Sequence, residues 1–415
     1  MERLLVRGGN SLRGQVEVSG SKNATLPIMA ASLLSPGEVI LNDVPDLEDI
    51  NVMSDALRIL GTTVKREGKT LIINSRLTNS YEVPELIARR MRASNLLTGA
   101  LLGRFKQARV AYPGGCAIGS RPMDLHIKGF RSLGFEISEG CGFLEGKGFP
   151  HGNEILLDIP SVGATENIIM SATLAKGITI IRNAAREPEI VDLQNFLNRM
   201  GAKIKGAGLD TIRIEGVDCL GEVEHAVIPD RIEAGTFMVA SAITGGDIWI
   251  ENVLTEHLQP VIAKLSEIGV EILSWPGGIR VVGKEHYFPT DIKTMPYPGF
   301  PTDMQAQLMA LLCTVQGTSV VVETIFENRF MHVQELRRMG ADIKVEGRVA
   351  IINGTHFKGA KVEASDLRAG AALVLAGLCA PGETQISRLE HIDRGYERIH
   401  EKLKGVGADI ERMPE

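Results

Sequence analysis

The chain has 415 residues, 44% hydrophobic and 23% charged, which are ordinary globular proportions and exclude disorder. Lys and Arg number 45 against 51 Asp and Glu, a net charge of −6, so the basic excess of a general nucleic-acid binder is missing. Five dispersed cysteines with no C-x-x-C pair exclude a disulfide framework, and no apolar run reaches the length of a bilayer span. A cytoplasmic protein is expected, and its length calls for more than one core.

Taken in chain order, the predicted elements repeat. A small-residue apolar run such as PIMAASLL (27–34) reads as a helix, breaks at Gly37 and becomes the strand EVILN. A second amphipathic run follows, ends at Gly61 and turns into the alternating segments TTVKREGKTLIIN. The same phrase returns around Gly134, Gly201, Gly269, Gly340 and Gly407, at separations of 73, 67, 68, 71 and 67 residues. The first half of the phrase returns as SATLAKGITIIRNA, ASAITGGDIWIENV, ALLCTVQGTSVVVET and LAGLCAPGETQISRL. One unit therefore reads helix, strand, helix, strand, strand, preceded by a strand from upstream. Six such units predict an α/β protein whose sheets and helices need neighbouring units to complete a core. The glycines are structural in this reading, since they permit left-handed caps and tight turns.

Four segments carry chemistry. GSKNATLP sets Lys22 and Asn23 before an apolar helix, as a cap or as an anion site at the positive end of the helix dipole. The segment YPGGCAIGSRPMDLHIKGF is too broken for regular structure, and its glycines suit a lid. Cys116 sits there five residues before Arg121, where a reactive thiol fits; the other four cysteines read as structural. In FPTDMQAQLMALL, Asp303 stands at a helix entrance as an N-cap or a general base. Arg92, Arg329, Arg368 and Arg394 lie in polar turns, as solvated charges or as a clamp for phosphate and carboxylate.

Together GSKNATLP, PGGCAIGSRPMDLH, SVGATENI, AAREPEIVD, PDRIEAGTF, FPTDMQAQ, ENRFMH and HIDRGYERI resemble the signatures of the UDP-N-acetylglucosamine 1-carboxyvinyltransferases, an enolpyruvyl transferase family of peptidoglycan synthesis. The resemblance runs from Arg13 to Arg412. It implies two inside-out, barrel-like α/β domains of three units each. One would span 21–229 and the other 230–415 with residues 1–20, the active site lying in the cleft between them.

The implied reaction moves enolpyruvate from phosphoenolpyruvate to the 3′-hydroxyl of UDP-N-acetylglucosamine. Such an addition needs an acid for the methylene carbon and a base for the hydroxyl proton. By resemblance Cys116 supplies the proton and Asp303 is the candidate base. Lys22, Arg121 and Arg394 match residues that grip phosphoenolpyruvate, with Arg92, Arg329 and Arg368 nearby. Asn23 matches a contact to the reacting centre, and Asp366 precedes Arg368 in a matching turn. Arg121, Pro122, Met123, Asp124 and Leu125, then Ser161, Val162 and Gly163, match the uridine-nucleotide site, and Ile325 a residue against the sugar. No metal or redox cofactor is expected. NLLTGALLGRFKQARVAY departs from the family phrase, and Glu166 with Asn167 follows one of two common variants; both touch helix packing. The alternatives are a 5-enolpyruvylshikimate-3-phosphate synthase, which shares the donor but lacks the PGGC segment, and a catalytically silent UDP-sugar-binding relative. The oligomeric state is not legible.

Overall fold

A computed structural model describes residues 2–114, 118–119 and 122–414. The six repeated glycines all adopt left-handed backbone, with φ between +90° and +106°. Such a conformation is strained for residues with a Cβ, so glycine recurs wherever the second helix of a unit must stop and reverse into a hairpin.

The chain forms two compact units, Met1–Ser19 with Ala117–Ser120 and Pro229–Glu415, and Gly20–Cys116 with Arg121–Ile228. Each contains three four-stranded sheets of one topology. In the second unit the order of one sheet is Val223–Ala226, Glu38–Asn42, Thr70–Asn74, Thr63–Glu67. Its first pair is parallel and the others are antiparallel. Glu82–Val83, Gln107–Ala111, Phe143–Lys147 and Glu136–Gly140 repeat the pattern, as do Glu154–Leu156, Ile178–Arg182, Thr211–Glu215 and Lys203–Lys205. This is the predicted unit, completed by an upstream strand in the last two sheets, whereas the first is completed by the downstream strand Val223–Ala226.

The first unit builds two of its three sheets with strands from the chain's start. Arg13–Glu17 runs parallel to Asp247–Val253, and Glu2–Arg7 is an interior strand beside Glu383–Ser387 and Asp409–Pro414. The third sheet is Ile292–Lys293, Thr318–Val322, Val349–Asn353 and Asp342–Glu346.

In every repeat the apolar helix is the innermost element. Lys22–Ala31, Leu96–Phe105 and Val162–Ala172 form one buried set, and Arg231–Ile243, Gln305–Leu312 and Leu367–Cys379 the other. Helices buried on all sides need small residues at their crossings. A Cβ on Gly99 would lie 2.4 Å from the Asn167 carbonyl oxygen, and the Gly99 amide donates to Asn167 Oδ1 at 2.7 Å. Asn167 thus satisfies a polar group inside the helix cluster. Among the described residues no helix is long and apolar enough to cross a membrane.

Candidate functional site

The residues singled out from the sequence fall into two sets, one in each unit. In the second unit Lys22 is the first residue of its helix, but the cap is Ser21, whose hydroxyl accepts from the Ala24 amide at 3.2 Å. The capping that the segment's Ser and Asn suggested thus falls to Ser21. Its Nζ lies 3.5 Å from Asp49 Oδ2, and both side chains are nearly buried. Asp49, in the first turn of the helix Glu48–Ile59, had no signal in the sequence beyond an acidic helix entrance. Asn23 is half-buried beside Lys22. Arg92 opens a short 3₁₀ turn, Arg92–Asn95, and is half-buried.

Asp124–Ser132 is a regular helix, where the sequence suggested an irregular segment. Pro122 and Asp124 are exposed at its entrance, and Met123 and Leu125 are buried. Ser161 caps the next helix, Val162–Ala172, by accepting from the Ala164 amide. The two helix entrances meet at His126: a Cβ on Gly163 would sit 3.1 Å from its Nε2. The structure thus joins the 122–125 and 161–163 stretches. Cys116 and Arg121 lie outside the described residues.

His126 is buried, and neither ring nitrogen has a hydrogen-bond partner among the described residues. Burial pushes its pKa down to about 4, the Arg92 charge adds to this and Asp124 opposes it. His332 in the first unit is likewise buried and depressed to about 4, by burial first, with Asp366 opposing and Arg329 adding. Both rings stay neutral in the folded chain but regain a value near 6.5 on unfolding. Between pH 6.5 and 4 the unfolded chain takes up the extra protons, so stability is fully present above this window and falls as pH drops. Each ring contributes roughly 3 kcal/mol to that slope. The stability of the wild type relative to His126→Asn should accordingly shrink from pH 7 to pH 4 in urea unfolding; a constant difference would contradict the buried neutral ring.

The first unit holds the other set. Asp303 lies in the 3₁₀ turn Thr302–Met304, and the helix Gln305–Leu312 has Met304, not Asp303, at its N-cap position. Its two carboxylate oxygens instead meet two arginines: Oδ1 accepts from Arg329 at 2.9 Å and Oδ2 from Arg368 at 3.0 Å. Arg329 is 5% exposed and Arg368 1%, while Asp303 is 28% exposed. The N-cap alternative gives way to a carboxylate held in a guanidinium vice, open on one side. Arg368 also lies under the Tyr396 ring, 5.3 Å from its centroid. The Tyr396 hydroxyl meets Thr236 and Gln307, and Gln307 Nε2 donates to the Asp303 carbonyl at 2.8 Å.

Asp366 is the N-cap of the helix Leu367–Cys379, accepting from the Arg368 and Ala369 amides at 2.9 and 3.0 Å. Arg394 ends the 3₁₀ turn Leu389–Arg394, half-buried. Ile325 is half-buried in the loop leading to Arg329. In the same loop the Asn328 amide donates to the Ile118 carbonyl at 3.0 Å. The structure therefore brings Asp303, Arg329 and Arg368 into one ion cluster and seats Asp366 on the same helix as Arg368.

The four described cysteines fall into two pairs. Cys313 is buried and Cys379 largely so, with burial raising both thiols, Cys379 to about 12. Cys141 and Cys219 are exposed. Cys141 adopts φ +50° in a hairpin turn, and a turn residue has no interior to enter.

Residues 6–403 match the family model of EPSP synthase (3-phosphoshikimate 1-carboxyvinyltransferase). The chain is 57% identical over 412 residues to UDP-N-acetylglucosamine 1-carboxyvinyltransferase 1 of Caldanaerobacter subterraneus, covering 99% of each. The chain belongs to the UDP-N-acetylglucosamine 1-carboxyvinyltransferase family. Two further members of this family are similar to it: enzyme 1 of Halalkalibacterium halodurans at 57% (100% of this chain, 95% of the relative), and enzyme 2 of Carboxydothermus hydrogenoformans at 56% with full coverage of both. Among solved structures, the enolpyruvyl transferase NikO of Streptomyces tendae superposes with a TM-score of 0.90 at 25% identity, covering 99% of each chain. EPSP synthase of Acinetobacter baumannii superposes at 0.75 and 19% over the full length of both. This UDP-N-acetylglucosamine 1-carboxyvinyltransferase family member thus shares the inside-out α/β architecture of enolpyruvyl transferases.

Proposed function

We propose that the protein transfers the enolpyruvyl group of phosphoenolpyruvate to the 3′-hydroxyl of UDP-N-acetylglucosamine and releases phosphate, the first committed step of peptidoglycan synthesis. The full-length likeness to relatives of that name supports the reaction. The Asp303 vice is the observation that carries the assignment of the base. A carboxylate has about four lone-pair sites. Arg329 and Arg368 use two of them, and the carboxylate is 28% exposed, so an acceptor hydroxyl can reach it from solvent.

In the addition, the deprotonated hydroxyl oxygen bonds to C2 of phosphoenolpyruvate while its methylene carbon receives a proton, which Cys116 supplies. The product is a ketal still bearing phosphate. In the elimination, the new methyl group loses a proton and the carbon–oxygen bond to phosphate breaks, restoring the double bond. Lys22, Arg121 and Arg394 hold the donor's phosphate and carboxylate, with Arg92, Arg329 and Arg368 contributing positive charge. Asn23 contacts the reacting centre and Asp366 orders the turn before Arg368. Residues 121–125 and 161–163 hold the uridine nucleotide, and Ile325 supports the sugar. Both substrates are cytoplasmic metabolites, so the reaction belongs in the cytoplasm.

The test is phosphate release from phosphoenolpyruvate with each acceptor in turn. UDP-N-acetylglucosamine should support turnover and shikimate 3-phosphate should not. Release with shikimate 3-phosphate alone would assign the other branch of the family. Binding of the nucleotide sugar with no release would mark a silent binding protein.

A further inference from the structure

Glu323 follows the strand Thr318–Val322, yet its side chain turns inward and is 1% exposed. Burying a carboxylate is costly unless donors surround it. Four do. Oε1 accepts from Thr294 Oγ1 at 2.9 Å, the Ile325 amide at 2.8 Å and the Phe326 amide at 3.1 Å. Oε2 accepts from Thr302 Oγ1 at 2.9 Å. Thr294 is itself fixed, because its Oγ1 accepts from the Thr324 amide and its carbonyl from the Thr324 hydroxyl, at 2.9 and 2.6 Å. One buried acceptor therefore ties three segments together. One is anchored at Thr294; the second is the Thr302–Met304 turn, and the third the Ile325–Phe326 turn.

The second of these carries Asp303, and the third leads directly into Arg329, which grips Asp303. Thr302 and Ile325 thus hang from one carboxylate, each adjacent to or being a residue assigned to the acceptor sugar. Only a group that accepts and never donates can satisfy four donors at once, which accounts for a charged residue where the chain is otherwise apolar.

We propose that Glu323 is a positioning residue for the acceptor: through Thr302 it fixes the Asp303 turn in register with the Ile325 turn, so that the hydroxyl to be deprotonated meets Asp303 while the sugar rests on Ile325. The inference rests on the transferase reading above. Misplacement of a reacting group by about 1 Å costs on the order of 10²-fold in rate.

Thr302→Val severs the link between Glu323 and the Asp303 turn at nearly constant volume and leaves the other three bonds. With UDP-N-acetylglucosamine and phosphoenolpyruvate as substrates, kcat/KM for the nucleotide sugar should fall by about 10–100-fold. KM for phosphoenolpyruvate should hold near wild type, the thermal midpoint should drop because Glu323 Oε2 loses its donor, and Thr302→Ser should restore both rate and midpoint. Wild-type kinetics in Thr302→Val, an equal rise in KM for both substrates, or failure of Thr302→Ser to rescue would overturn the inference while the wild type still turns over. Absence of phosphate release in the wild type itself would overturn the transferase reading instead. Should Thr302→Val fail to fold, Glu323→Ala is read the same way. Glu323→Ala removes the shared acceptor from all four donors, and wild-type kinetics in it would overturn the positioning role.

Discussion

Asp303→Ala is expected to lower kcat by about 10²–10⁴-fold, the usual contribution of a positioned general base. The same change has a second consequence. Arg329 and Arg368, 5% and 1% exposed, would be left facing one another with their shared anion gone. Removing one partner of a buried ion cluster strands the others and costs about 3–5 kcal/mol. Asp303 is 28% exposed, so the lower end applies, about 3 kcal/mol after solvent screening. Asp303→Asn separates the two effects. Its amide keeps the shape and one oxygen for an arginine but no longer takes a proton, so its rate should fall as far as that of Ala with a smaller loss of stability. Phosphate release and urea unfolding on both variants check this. A fast Asp303→Asn enzyme would remove Asp303 from the role of base; a slow but fully stable Asp303→Ala enzyme would show that the arginines find other anions.

What was readable in the sequence divides along the same physical line, local against non-local. The six glycines could be read because a left-handed helix stop is a local demand that only a residue without Cβ meets cheaply, and each returns with φ near +100°. The helix–strand–helix–hairpin order followed from local periodicity. Pairing across the chain was not legible in this way: nothing in ERLLVR announces an interior strand between Glu383–Ser387 and Asp409–Pro414. At the site, Asp303 was visible as an acid at a helix entrance. Whether it capped that helix depended on arginines 26 and 65 residues away in sequence, which only tertiary structure brings to it. Glu323 was invisible for a related reason. At the end of TSVVV it reads as the polar residue that stops a strand, and its inward turn depends on donors from Thr294 and Thr302.

The second large effect concerns the acid. Carbon protonation needs a donor acidic enough to give up its proton near neutral pH. A thiol titrates near 8.5 and a carboxyl near 3.9, whereas an aliphatic hydroxyl does not titrate in water. Cys116→Ser should therefore lose about 10²–10⁴-fold in kcat despite differing by one atom. Cys116→Asp should stay within about tenfold of wild type at its own optimum, since the role asks for an acid and not for sulfur. Its pH profile supplies the sign. The protonated form is the active one, so activity should decline as pH rises through the carboxyl's pKa, well below the limb set by the thiol. Equal collapse of both variants would remove Cys116 from the role of acid. An epoxide phosphonate of the fosfomycin type gives an independent check. Its anionic group should be drawn to the cations proposed for phosphoenolpyruvate, and its ring should be opened by Cys116. Cys313 and Cys379 are protected by burial and raised thiol pKa, but Cys141 and Cys219 are exposed and serve as internal competitors. Labelling confined to Cys116, with Cys116→Asp unlabelled, is the outcome that a directed, activated thiol requires; adducts on Cys141 or Cys219 would reduce the reaction to simple exposure.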